Sequence, residues 1–73
     1  MKKFVKVIAA YTTKKKKEIQ DADCYMRVDF ISAFAFLEYD GKEAVVFSMQ
    51  DDEAPGARYI TFDVDAFKDI LES

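Results

Sequence analysis

The sequence predicts a small α+β domain: an antiparallel sheet of about four strands, in the order β-β-β-β-α, with one C-terminal helix packed on one face. Three observations predict it. Apolar and polar residues alternate through 2–12 and again through 24–31, the period of a half-buried strand. Asp40-Gly41 stands between two apolar runs, a strong hairpin signal, because a type I′ turn needs positive φ at both central positions. Near the end of the chain, Asp63 and Asp65 precede an apolar stripe of Phe67, Ile70 and Leu71, which is the pattern of a capped amphipathic helix. Residues 1–73 form one domain.

Taken in order, the first strand places Val5, Val7, Ala9 and Tyr11 on one side and Phe4, Lys6, Ile8 and Ala10 on the other. The side carrying Val5 and Val7 is predicted to be buried, with Lys6 keeping the other side partly wet. Lys14 to Asp23 is polar and reads as the first connection. In the second strand, Cys24, Met26, Val28 and Phe30 oppose Tyr25, Arg27, Asp29 and Ile31. A helix is the alternative there, since Phe30, Ile31, Phe34 and Leu37 also form a helical stripe. The β-branched and aromatic content favours a strand.

If Asp40 and Gly41 are the hairpin loop, the cross-strand pairs are Tyr39–Lys42, Glu38–Glu43, Leu37–Ala44, Phe36–Val45, Ala35–Val46 and Phe34–Phe47. This register gathers Phe34, Phe36, Val45, Phe47 and Met49 on one face. It sets two glutamates opposite each other, which is unfavourable. A three-residue loop would pair Glu38 with Lys42 but scatter the aromatics, and burial outweighs one exposed ion pair. Residues 50–57 read as a loop marked by Pro55-Gly56. Arg58 to Phe62 is the last strand, and Asp63 caps a helix that runs to about Leu71.

Composition sets the class. A chain of 73 residues buries a modest share of its surface, so its core must be dense. Seven Phe and four Tyr within a 51% hydrophobic composition supply that density. Cys24 is the single cysteine, so no internal disulfide can form, and a secreted domain this small would need several. Lys6 interrupts the apolar N-terminal stretch and lysines follow it, which does not fit a signal peptide, and no segment reaches the length of a membrane span. The expectation is a cytoplasmic protein. Charge is uneven: residues 1–17 hold seven lysines and no acid, whereas the rest hold fourteen acids against four bases. The overall net charge is −3.

Histidine is absent, which removes the usual nucleophile activation, the commonest general base and most zinc sites. Gly41 and Gly56 stand apart, so there is no phosphate-cradling loop and no dinucleotide fingerprint. Asp51-Asp52-Glu53 with Asp63 or Asp65 is a candidate cation cluster, but the spacing is not that of an EF-hand, and a solvated acidic loop is the expectation. Cys24, on a face with Met26 and Val28, is expected in the core rather than as a thiol activated by Lys14 to Lys17.

Tyr59-Ile60-Thr61-Phe62-Asp63-Val64-Asp65, an apolar strand ending in D-x-D, resembles the nucleophile motif of haloacid-dehalogenase-type phosphatases. The resemblance implies a phosphoryl-accepting Asp63 and an acid–base Asp65. It covers only this stretch, and the Gly-Thr that usually follows the second Asp is Ala66-Phe67 here. The chain ends soon after, without room for the α/β domain that supplies the remaining groups. Helix capping is therefore the expected role of both acids, and the chain is expected to be no enzyme, with no cofactor and no metal.

One helix of about nine residues covers only one face of such a sheet. The other face of the hairpin carries Ala33, Ala35, Leu37, Ala44 and Val46, a small apolar surface expected to dock on another protein or on a second copy, so a homo-oligomer is expected. The expected function is a non-catalytic protein-interaction module, in its specific form an inhibitor of a host protein carried by a phage or mobile element. The alternative is a nucleic-acid-binding module in which Lys14, Lys15, Lys16 and Lys17 form a polyanion contact and Tyr11 or Tyr25 stacks on bases. An overall pI near 4.8 weighs against it.

Overall fold

The computed structural model describes residues 4–12, 19–28, 31–50 and 56–72. Five strands and one helix occur in the order β1 (Phe4–Thr12), β2 (Gln20–Arg27), β3 (Ile31–Tyr39), β4 (Lys42–Met49), β5 (Ala57–Thr61) and α1 (Val64–Glu72). They form a single antiparallel sheet in the order β2-β1-β5-β4-β3, followed by the helix. This is the predicted α+β class, with five strands rather than about four: each of the five segments read as a strand, one by one, has its counterpart here.

The hairpin follows the predicted register. Phe34 pairs with Phe47, Phe36 with Val45, Glu38 with Glu43 and Tyr39 with Lys42. Asp40 at φ 53° and Gly41 at φ 76° supply the two positive angles that a type I′ turn requires. The strands joined by this turn lie beside each other, and β5 returns to fill the gap between β4 and β1.

Two details of the first two strands depart from simple alternation. Val7 pairs with Thr61 while Ala9 pairs with Ile60, so β1 carries a bulge at this point. A bulge turns the following residues over. Val5 and Val7 therefore pack on the helix side, whereas Ala9 joins a cluster on the opposite face, contrary to the single-face expectation. The second strand begins at Gln20 rather than Cys24, taking in residues that the polar composition had assigned to a connection. It is an outer strand with most residues exposed, where polar side chains carry little penalty.

The sheet is strongly coiled. Across a flat sheet, β2 and β3 would lie four strand spacings apart, about 19 Å. Arg27 and Ile31 are only four peptide steps apart, a reach of about 14 Å. Coiling brings the two outer strands together, and Val28 between them is completely buried in the main core.

That core lies under α1, which crosses β4 and β1. Val5, Val7, Val28, Val45, Phe47, Val64 and Phe67 are its buried members. The Phe67 ring meets Phe47 at 5.3 Å and Phe34 at 5.7 Å between centroids. Phe47 and Phe67 are both fully buried, and each contributes on the order of 2–3 kcal/mol through burial alone. Thr61 is also fully buried, and its Oγ1 accepts a hydrogen bond from the Asp63 N–H at 3.0 Å. Among the described residues, no buried side-chain polar atom lacks a hydrogen-bond partner.

Candidate functional site

The rows of paired residues that cross the sheet locate the open surface. On the helix side, Phe36, Val45, Thr61 and Val7 form one row, with exposure falling from 45% at Phe36 to nearly zero at the other three. On the opposite side, Ala35, Val46, Ile60 and Ala9 form another, running from exposed through half-buried to buried. Phe4 at the start of β1 is 51% exposed, but along these two rows the surface is closed at β5 and β1 and open at β3. The helix is centred away from this edge, and the second face is closed by its own side chains. Ala9, Ala44 and Ile60 are packed among Ile8, Tyr11, Leu37, Tyr39, Val46 and Phe62.

This divides the predicted partner surface. Ala33 and Ala35 are exposed, Leu37 and Val46 are half-buried, and Ala44 is fully buried beneath its neighbours. An open depression of about 150 Å³ lies over the alanines, walled in part by Tyr11, Val46 and Arg58. Arg58 donates a hydrogen bond from Nη1 to the Ala57 carbonyl at 3.0 Å, which holds its side chain near the strand.

Phe34 and Phe36 belong to the same open surface, and sequence reasoning had assigned them to the core. They are 46% and 45% exposed and meet edge to face at 5.8 Å. Lys68 reaches from the helix to place Nζ 5.4 Å from the centre of the Phe36 ring. Every residue from Ser32 to Phe36 is exposed, and the stretch Ile31–Leu37 carries no charge and no proline. Natural outer strands are commonly blunted by such residues. The signal was present in the sequence as ISAFAFL, but reading it required knowing that β3 is an outer strand.

The remaining candidates are placed as follows. Cys24 is exposed, correcting the expectation of a core residue. It pairs with Val7 on the core side of the sheet, but β2 is the last strand and nothing among the described residues covers its outer half. Tyr11 is half-buried beside Arg58, and Tyr25 is 70% exposed. Lys14 to Lys17 and Asp51 to Glu53 lie outside the described residues. Among the described residues, no group of three or more acidic, Cys or His side chains is placed to hold a metal ion. No helix among them is long and apolar enough to cross a membrane.

The two acids of the D-x-D stretch sit at the strand-to-helix turn. The Asp63 carbonyl accepts the Phe67 N–H at 2.9 Å, which makes it the first acceptor of the helix. Its carboxylate accepts the Lys6 backbone N–H, also at 2.9 Å. Asp65 is exposed in the first turn, where its charge suits the positive end of the helix dipole.

No protein-family model matches the chain, and neither a curated protein nor a solved structure matches it.

Proposed function

We propose that the chain is a non-catalytic protein-interaction module that docks through the apolar surface of β3. The observation that carries this reading is the run Ser32–Phe36, exposed on both sides of an outer strand inside an uncharged stretch. A partner strand laid along this edge gains main-chain hydrogen bonds. Phe34 and Phe36 offer aromatic anchors on one side, and Ala33, Ala35 and Leu37 offer a close-approach surface with Val46 on the other. Elsewhere fourteen acids among 73 residues give the surface a charge that disfavours non-specific apolar contact. The specific form we favour is a small inhibitor of a host protein, carried by a phage or mobile element. It rests on the small size of the chain and the compact exposed surface of β3.

The test compares the wild-type chain with Ala35→Lys, a change at an exposed position that leaves both cores untouched. Tagged versions of each are used to capture proteins from nuclease-treated lysate, with circular dichroism confirming equal folding. The expected outcome is a stoichiometric protein retained by the wild type and lost by the variant, a second copy of the chain included. Equal retention by both would overturn the reading.

A further inference from the structure

We infer that the partner of this edge is an extended segment that carries a lysine or arginine opposite Glu38 and apolar residues opposite Phe36 and Phe34. This inference rests on the docking role proposed for β3 and names the chemistry of what docks there.

The hairpin geometry determines which groups meet a partner. A two-residue turn makes Tyr39 and Lys42 a hydrogen-bonded pair, and the alternation makes Glu38–Glu43 and Phe36–Val45 non-hydrogen-bonded pairs. The N–H and C=O groups of Phe34, Phe36 and Glu38 therefore point away from β4, toward the free edge. Glu38 belongs to the docking edge: a strand added there bonds to its backbone and sets one side chain directly beside its carboxylate.

Charge at this end of β3 is unbalanced. A non-hydrogen-bonded pair brings its side chains close, so Glu38 and Glu43 crowd two carboxylates together on the helix side. Both are exposed, and among the described residues neither has an ion pair. Lys42, beside them in the chain, lies on the opposite face with its Nζ 5.4 Å from the centre of the Phe62 ring. An open depression of about 280 Å³ runs from Phe36 over Leu37 to the two glutamates, which leaves room for a long side chain. A cation placed there meets two carboxylates and relieves the repulsion between them, whereas an anion would add a third like charge.

Lys68 determines where along the edge that cation sits. Its Nζ already lies 5.4 Å from the centre of the Phe36 ring, so a basic residue opposite Phe36 would meet a like charge. The stretch Ile31–Leu37 holds no carboxylate to attract one elsewhere on the strand. The position opposite Glu38 is the one that combines outward backbone groups with uncompensated negative charge. Apolar residues two and four positions away then rest on Phe36 and Phe34. A partner running antiparallel reads as basic-x-apolar-x-apolar, and its alternate side chains fall over Ala33, Ala35 and Leu37.

Two synthetic peptides test this, acetyl-Thr-Lys-Thr-Val-Thr-Val-Thr-amide and the same peptide with Glu in place of Lys. Each is titrated at low salt into isotope-labelled protein while the backbone amide signals of Phe34, Phe36 and Glu38 are followed. The lysine peptide should bind roughly tenfold more tightly, since a favourable cross-strand pair replaces an unfavourable one. That preference should shrink as salt is raised and disappear in the double variant Glu38→Gln, Glu43→Gln, with circular dichroism confirming an unchanged fold. Ala35→Lys should weaken both peptides. Equal binding of the two peptides, or a preference that the double variant keeps, would overturn the basic partner and leave the docking role of β3 in place. If neither peptide moves these signals at millimolar concentration, the basic segment is overturned as well, and the docking role rests on the loss of a captured protein by Ala35→Lys.

Discussion

The carboxylate of Asp63 accepts a hydrogen bond from the backbone N–H of Lys6 at 2.9 Å, joining residues 57 positions apart in the chain. The pairing of β5 with β1 ends at Thr61 opposite Val7. The Lys6 N–H lies one residue beyond that last rung, and the Asp63 side chain continues the ladder where the backbone has turned away into the helix. The same residue thus starts the helix through its carbonyl and extends the sheet through its carboxylate. Asp63→Ala should lower stability by about 1 kcal/mol through loss of the hydrogen bond to the Lys6 N–H at an exposed site, while the carbonyl that starts the helix is kept. Asp63→Asn retains an acceptor oxygen and should recover much of that loss. Urea unfolding of the three chains checks both expectations, and an unchanged midpoint in the alanine variant would remove the contact from the account.

Phe67 joins the helix to the sheet. It is fully buried against Phe34 and Phe47, and Val64 is the other buried residue of its helix. Truncating a buried phenylalanine to alanine costs about 3–5 kcal/mol. At roughly 0.05–0.15 kcal/mol per residue, a 73-residue chain has a total stability of about 4–11 kcal/mol. Phe67→Ala should therefore be largely unfolded or close to it, whereas Phe67→Leu should fold with a reduced urea midpoint. Near-ultraviolet circular dichroism distinguishes these outcomes through the packed aromatic signal.

Glu38 and Glu43 face each other directly across the hairpin, and both are exposed. Like charges at such a pair are destabilising, and replacing one by an opposite charge recovers about 0.2–1 kcal/mol. Glu43→Lys should raise the urea midpoint at low ionic strength, with a smaller gain as salt screens the original repulsion. An equal gain at high and low salt would point to propensity rather than charge.

Much of this fold was legible because its strongest signals are local. Asp40-Gly41 determined the turn, and the turn determined every pair from Tyr39–Lys42 to Phe34–Phe47. Asp63 marked the helix start in the same way. What was hidden depends on long-range pairing. The insertion of β5 between β1 and β4 makes β3 an outer strand, and this is why Phe34 and Phe36 are half-exposed despite an apolar pattern suited to a core. The bulge that sends Ala9 to the opposite face from Val7 has no local marker in VKVIAAY. The start of β2 at Gln20 was masked by aspartates, which are weak strand formers but are accommodated on an outer strand. The exposed surface of β3 was half-read: Ala33 and Ala35 are open as expected, Ala44 is buried, and the two phenylalanines are half-exposed beside them.

Cys24 provides a direct check on the placement of β2. Its alternation with Met26 and Val28 argued for burial, and the alternation itself is respected, since Val7 opposite Cys24 is buried. The outer position of the strand leaves the thiol exposed all the same. A buried thiol reacts only when the protein opens, so its labelling rate follows the free energy of unfolding. Cys24 should instead react with one equivalent of a thiol reagent in the absence of denaturant, at a rate that changes little when urea is added through the transition. Cys24→Ser should shift stability by no more than about 0.5 kcal/mol, as expected for a surface substitution. Protection of the native thiol, released only in step with global unfolding, would place this part of β2 inside the core and overturn the strand order at that edge.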